Sequence, residues 1–144
     1  MNRFVLLAAA VLVVLPCLAL GDAPKGNDST IDGTWLASSA ELGGKKLPTT
    51  TPGIKLTLDK GKYEVIAESP DRGTVTYDTA AKPKAMDIKG TDGPNKGRTI
   101  LAIYELSDDK LTICYDLSGT ARPSEFKSQP NTKLFLVTYE RQKP

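Results

Sequence analysis

Three carboxylates, Asp87, Glu105 and Asp116, fall in or beside apolar stretches in the second half of the chain. Two inward carboxylates in different environments could divide general acid and base work, as glycosidases do. In alternating strands such residues more often face solvent or pair with Lys and Arg, and that is the role expected here. The chain contains no histidine. Its absence removes the commonest general base, the usual activator of Ser or Cys, and the commonest metal ligand. Cys114 has no imidazole and, once Cys17 is cleaved away, no second thiol, so a zinc site, a disulfide and a Cys–His dyad all fall away. A small residue packed in a strand is the expected role of Cys114. No catalytic residue, metal or cofactor follows from these residues.

Two loops carry distinctive chemistry. "GPNKGRT", residues 93–99, has the glycines and cations of a phosphate loop. It places three residues between the glycines instead of four, has Arg98 where Lys belongs, and leads into a strand rather than a helix. A hairpin turn explains it. "TARPSEF", residues 120–126, reads in two ways. Arg122, Ser124 and Glu125 could rim a pocket mouth with Phe126 as its lid. Alternatively Pro123 sets the turn, Phe126 plugs the core, and Arg122 pairs with a carboxylate, which is the favoured reading.

The segments that position these residues begin after a leader. Arg3 followed by the apolar run 4–15, the Pro16 break and small residues at 19 and 21 reads as a secretory signal peptide over residues 1–21. The run is too short for a comfortable membrane span. Pro16 directly before Cys17 argues against lipidation. The expected localisation is secreted or periplasmic. Residues 22–30 are polar, with Pro and Gly, and read as a flexible leader containing the formal glycosylation sequon Asn27-Asp28-Ser29. The remainder, 31–144, suits one domain. With 19 basic and 17 acidic residues interspersed along the chain, nothing points to a nucleic-acid partner.

Past the leader the apolar residues alternate with period two and no helical stripe appears. Strands are expected at 34–42, 45–47, 54–59, 63–68, 74–78, 85–89, 99–106, 110–116 and 133–141, with "SPDRG" at 69–73 as a turn and 90–97 as a wide turn. Short sequential turns imply antiparallel neighbours. The fold class is therefore all-β, an antiparallel up-and-down barrel of about eight strands, closed so that no edge is left open; a two-sheet sandwich is the alternative.

The single tryptophan stands in "IDGTW", at the entrance to the first strand, and Arg141 stands at the end of the last. This pairing of Gly33, Trp35 and Arg141 resembles the lipocalin superfamily, where the indole closes one barrel end and the terminal arginine packs across its ring. The segments "GTWLASSAELGGKKLP", "KPKAMDIKGTDGPNKGRTILAIYELSDDKLTICYDLSGTARPSEF" and "YER" are also similar to a family of small exported domains abundant in planctomycete bacteria. That family is uncharacterised and usually described as lipocalin-like. The resemblance spans residues 31–141 and implies a lipocalin-like barrel without implying an activity or a substrate.

Together these features suggest a secreted, non-catalytic binding module for a small, partly apolar or amphipathic ligand. The alternative is a protein-interaction or cell-envelope module with a filled barrel, acting as a homo-oligomer or with an envelope partner. Leu56, Leu58, Val65, Tyr104, Ile113, Tyr115 and Leu136 are the residues expected to face a cavity, chosen by alternation. Strands 99–106 and 133–141 are apolar on both faces, so their outer face should be covered by the chain's own loops or by another molecule.

Overall fold

The computed structural model describes residues 26–50 and 53–143. The expected signal peptide at 1–21 lies outside them, as do residues 22–25 of the leader. The strands are β1 (Gly33–Leu42), β2 (Lys45–Lys46), β3 (Lys55–Asp59), β4 (Lys62–Ile66) and β5 (Pro70–Asp78). They continue with β6 (Lys84–Asp92), β7 (Thr99–Ser107), β8 (Lys110–Asp116) and β9 (Leu134–Arg141). Each of β3 to β9 pairs antiparallel with its neighbour in sequence, and β1 pairs with both β3 and β9, closing an eight-stranded up-and-down barrel. The short β2 is the extra strand, folded back on β1 through Glu41↔Lys46 and Leu42↔Lys45. A bulge between Ala37 and Ser39 lets β1 serve β3 with its first half and β9 along most of its length.

Strand alternation sorts the side chains cleanly. On β5, Asp71, Gly73, Val75 and Tyr77 point inward and are buried, while the residues between them are exposed or half-buried. The same parity puts Leu56 and Leu58 of β3, Met86 and Ile88 of β6, Ile100, Ala102 and Tyr104 of β7, and Leu111, Ile113 and Tyr115 of β8 into one core. One barrel end, the base, carries the β3–β4, β5–β6 and β7–β8 turns. The other end carries residues 67–69, 93–98 and the long connection 117–133.

Two expected turns are largely strand. "SPDRG" has turn chemistry, yet β5 starts at Pro70 and leaves 67–69 as the connection. Pro70 is tolerated because it is the first residue of its strand. Gly73 is used for proximity: a Cβ there would lie 1.9 Å from the Lys89 carbonyl oxygen and 2.7 Å from the Tyr63 ring. It pairs with Gly90 beside a second bulge, and β6 runs on to Asp92, so the wide turn shrinks to 93–98.

The outer face of β6 to β9 holds a second, smaller apolar row. Ala85, Ile103, Cys114 and Leu136 stand opposite one another in successive strands. Residues 117–133 fold back across this row. Arg122 donates to the carbonyls of Met86 and Ala102 at 3.0 and 2.9 Å, and the Cys114 thiol donates to the Lys127 carbonyl at 3.6 Å. Ser128 donates to the Leu134 carbonyl at 2.9 Å. The outer apolar row of these strands is thus covered by the chain itself. Elsewhere Leu36 and Ile66 are exposed, but Lys55 stands between them in register. Among the described residues no helix is long and apolar enough to cross a membrane.

Candidate ligand cavity

The base is sealed from the first strand outward. Trp35 is fully buried, its indole N–H donates to the Ile31 carbonyl at 3.0 Å, and the Arg141 guanidinium carbon lies 4.3 Å from the ring centroid. At that distance a guanidinium gains cation–π attraction of about 0.5–2 kcal/mol. Its two terminal nitrogens also donate to the Asp32 and Thr30 carbonyls, at 2.8 and 3.0 Å. Gly33 has φ +143° and no room for a Cβ, which would lie 2.8 Å from the Arg141 guanidinium.

Residues 26–32, in part expected as flexible leader, complete the seal. Gly26 exchanges backbone hydrogen bonds with Tyr77 at 3.0 and 2.8 Å. Asp28 is buried, caps the short 3-10 turn Ser29–Ile31 through Thr30, and accepts from the Tyr104 hydroxyl at 2.8 Å. Burial would raise the Asp28 pKa, but the hydrogen bonds from Thr30 and Tyr104 outweigh it and hold the carboxyl below its ordinary value. A polar sequence masked this segment's role, because apart from the buried Ile31 its contacts are made by backbone and by the Asp28 and Asp32 carboxylates.

Above the base the barrel is hollow. A cavity of about 360 Å³ is lined by strand residues from Leu58, Tyr63 and Tyr139 up to Ile54, Ala67, Glu68, Ser69, Pro94, Asn95 and Leu117 at the end opposite Trp35. Of the residues expected to face a cavity, Leu56, Leu58, Val65, Ile113 and Tyr115 do so. Tyr104 is interior but lies lower, edge-on to Tyr77 with centroids 5.6 Å apart, and belongs to the base. Leu136 is on the outer face, opposite Cys114, and Phe135, Val137 and Tyr139 take the interior. Both sets on β9 are apolar, so alternation alone could not choose. Arg141 could have: covering an indole inside the barrel puts Tyr139, Val137 and Phe135 on its own face.

Two polar groups interrupt the apolar wall. The buried Tyr115 and Tyr139 hydroxyls are hydrogen-bonded at 3.0 Å. Desolvation pushes the Tyr139 phenol up to about 12, with the bond to Tyr115 acting the other way, and raises Tyr115 well above its usual range. Both are neutral hydroxyls at any physiological pH. Nearer the opening, the buried Asp71 carboxylate accepts from the Tyr63 hydroxyl at 3.0 Å, from the Asn95 amide N–H at 3.1 Å and from the Asn95 carboxamide at 2.8 Å. Burial first, then the hydrogen bond to Asp71 and its charge, raise the Tyr63 phenol far above its ordinary value. In the sequence Asp71 stands in a turn-like stretch and Asn95 in a hairpin-like one; only strand pairing brings them together.

The remaining chemical candidates lie elsewhere. Asp87, Leu101 and Asp116 form a row on the outer face, and Glu105 is exposed. Asp87 pairs with Arg122, and Asp116 accepts from the Ser118, Thr120 and Ala121 amides, organising the long loop. Burial would raise Asp116, yet these bonds and the Ser118 hydroxyl hold it below its ordinary value. Arg122, Ser124 and Glu125 border a polar surface hollow of about 550 Å³ under the loop, whereas half-buried Phe126 lines neither this hollow nor the cavity. Pro123 is buried. Among the described residues no His, Cys, Asp or Glu cluster could hold a metal ion.

Relatives supply no further assignment. The chain matches no protein-family model and no curated protein sequence. The cavity's own geometry is therefore what any functional reading must use.

Proposed function

We propose that the protein is an exported, non-catalytic, lipocalin-like binding module that holds a small, partly apolar ligand in the barrel. The carrying observation is an interior of about 360 Å³ left open at the end opposite Trp35, where ordinary packing would have filled a barrel this small. Ligand pockets begin at about 300 Å³, with apolar walls and a few placed polar groups. Leu56, Leu58, Val65, Ile88 and Ile113 supply such walls, and the Tyr115 and Tyr139 hydroxyls supply a point of orientation. Catalysis finds no support in the site, since the one buried lining carboxylate, Asp71, is engaged by Tyr63 and Asn95.

Titration with a neutral fluorescent lipophile tests this reading. Saturable binding at one site per chain is expected, and Ala67→Phe, placed among the lining residues near the opening, should abolish it without changing the fold. Binding that does not saturate, or that survives Ala67→Phe unchanged, would remove the cavity from the argument.

A further inference from the structure

We infer that the cavity discriminates by head-group charge, taking amphiphiles with an ammonium or other cationic head over those with a carboxylate. This rests on the binding reading above and adds the chemical class of the ligand. Among the described residues the charged lining groups are Glu68 and Asp71, both carboxylates and both toward the open end, and no Lys or Arg lines the cavity. An apolar tail in the lower barrel therefore leaves its head beside them.

Asp71 decides the sign. Its carboxylate is buried, and its three bonds come from neutral donors, the Tyr63 hydroxyl and two Asn95 groups, so its charge is oriented but not cancelled by an ion pair in that cluster. A carboxylate head placed nearby would be repelled in a partly desolvated site, and an ammonium head attracted. Arg98 is the cation tied to this rim. It donates to the Asn95 side-chain carbonyl at 3.3 Å and to the Leu117 carbonyl, and it is exposed to solvent. The Asn95 carboxamide stands between it and Asp71, so water screens the guanidinium more than it screens the buried carboxylate.

A matched series with one tail and three heads, octylamine, octanol and octanoate, separates these terms by calorimetric titration at neutral pH and low salt. Octylamine should bind tightest and octanoate weakest, with a spread on the order of tenfold or more that shrinks in high salt. Glu68→Gln and Asp71→Asn should each narrow the spread, read as the ratio of octylamine to octanoate affinity within the same variant. Glu68 is exposed and its substitution keeps the fold even where Asp71→Asn disturbs it. Arg98→Gln should widen the spread or leave it. Equal binding of octylamine and octanoate, tighter binding of octanoate, or a spread untouched by both carboxylate variants overturns the inference while the cavity reading stands. Failure of all three, together with the neutral lipophile, overturns both.

Discussion

Arg141 offers the sharpest test of how the barrel closes. Its guanidinium stacks 4.3 Å from the Trp35 centroid and donates to two backbone carbonyls of residues 30 and 32, at 3.0 and 2.8 Å. Each charge-assisted bond contributes about 1.5 kcal/mol at the lower end of its range, suitable for a side chain still 25% exposed. The ring contact adds about 0.5–1 kcal/mol, and the 3.4 Å ion pair to half-exposed Asp109 adds little. Arg141→Ala should therefore cost about 3–4 kcal/mol. Arg141→Lys keeps the charge but loses the fork that reaches both carbonyls, and should cost about 2 kcal/mol. Trp35 is the single tryptophan, so its emission during urea unfolding reports the very contact being altered. A loss below about 0.5 kcal/mol for Arg141→Ala, or a lysine variant equal to wild type, would refute this account of the base.

Other consequences concern the core and the loops. Gly73→Ala forces a Cβ to within 1.9 Å of a strand carbonyl, so it should destabilise by more than about 2 kcal/mol or fail to fold, measured by the same denaturation. The Tyr77 hydroxyl is buried without a partner among the described residues, so Tyr77→Phe should be within about 1 kcal/mol of wild type; Tyr104→Phe, which strips a donor from Asp28, should cost about 1.5–3 kcal/mol. Near-equal losses for the two would contradict that contrast. The Cys114 thiol is buried under residues 117–133 and burial raises its pKa, so labelling should track global unfolding; fast modification of the native protein would mean the loop opens. Asp28 and Asp116 both have folded pKa values below their unfolded ones, so their stabilisation is complete above about pH 4 and is lost as pH falls through the folded values. Asp116→Asn should flatten the acid limb of the stability curve, and an unchanged limb would count against the loop hydrogen bonds.

Much of the fold was legible because strand alternation is a local property. Leu56 and Leu58, Val75 and Tyr77, and Ile113 and Tyr115 carry the period of two, and Lys60-Gly61 and Asp108-Asp109 mark the turns between neighbours. Closure was legible too, because Gly33, Trp35 and Arg141 sit at the two ends of the meander, which a barrel must join. The site was less so. Pro70 and Asp71 have the composition of a turn and act as strand, because pairing with β4 and β6 satisfies a backbone that local chemistry would have bent. Leu136 and Val137 are both aliphatic, so which of them faces the interior depended on a β9 register that only the Arg141 contact settles. The cavity itself is a volume left between side chains from seven strands and four connections. No local pattern encodes an unfilled space; it exists only once closure has set the barrel's width and the bulky residues have settled toward the base.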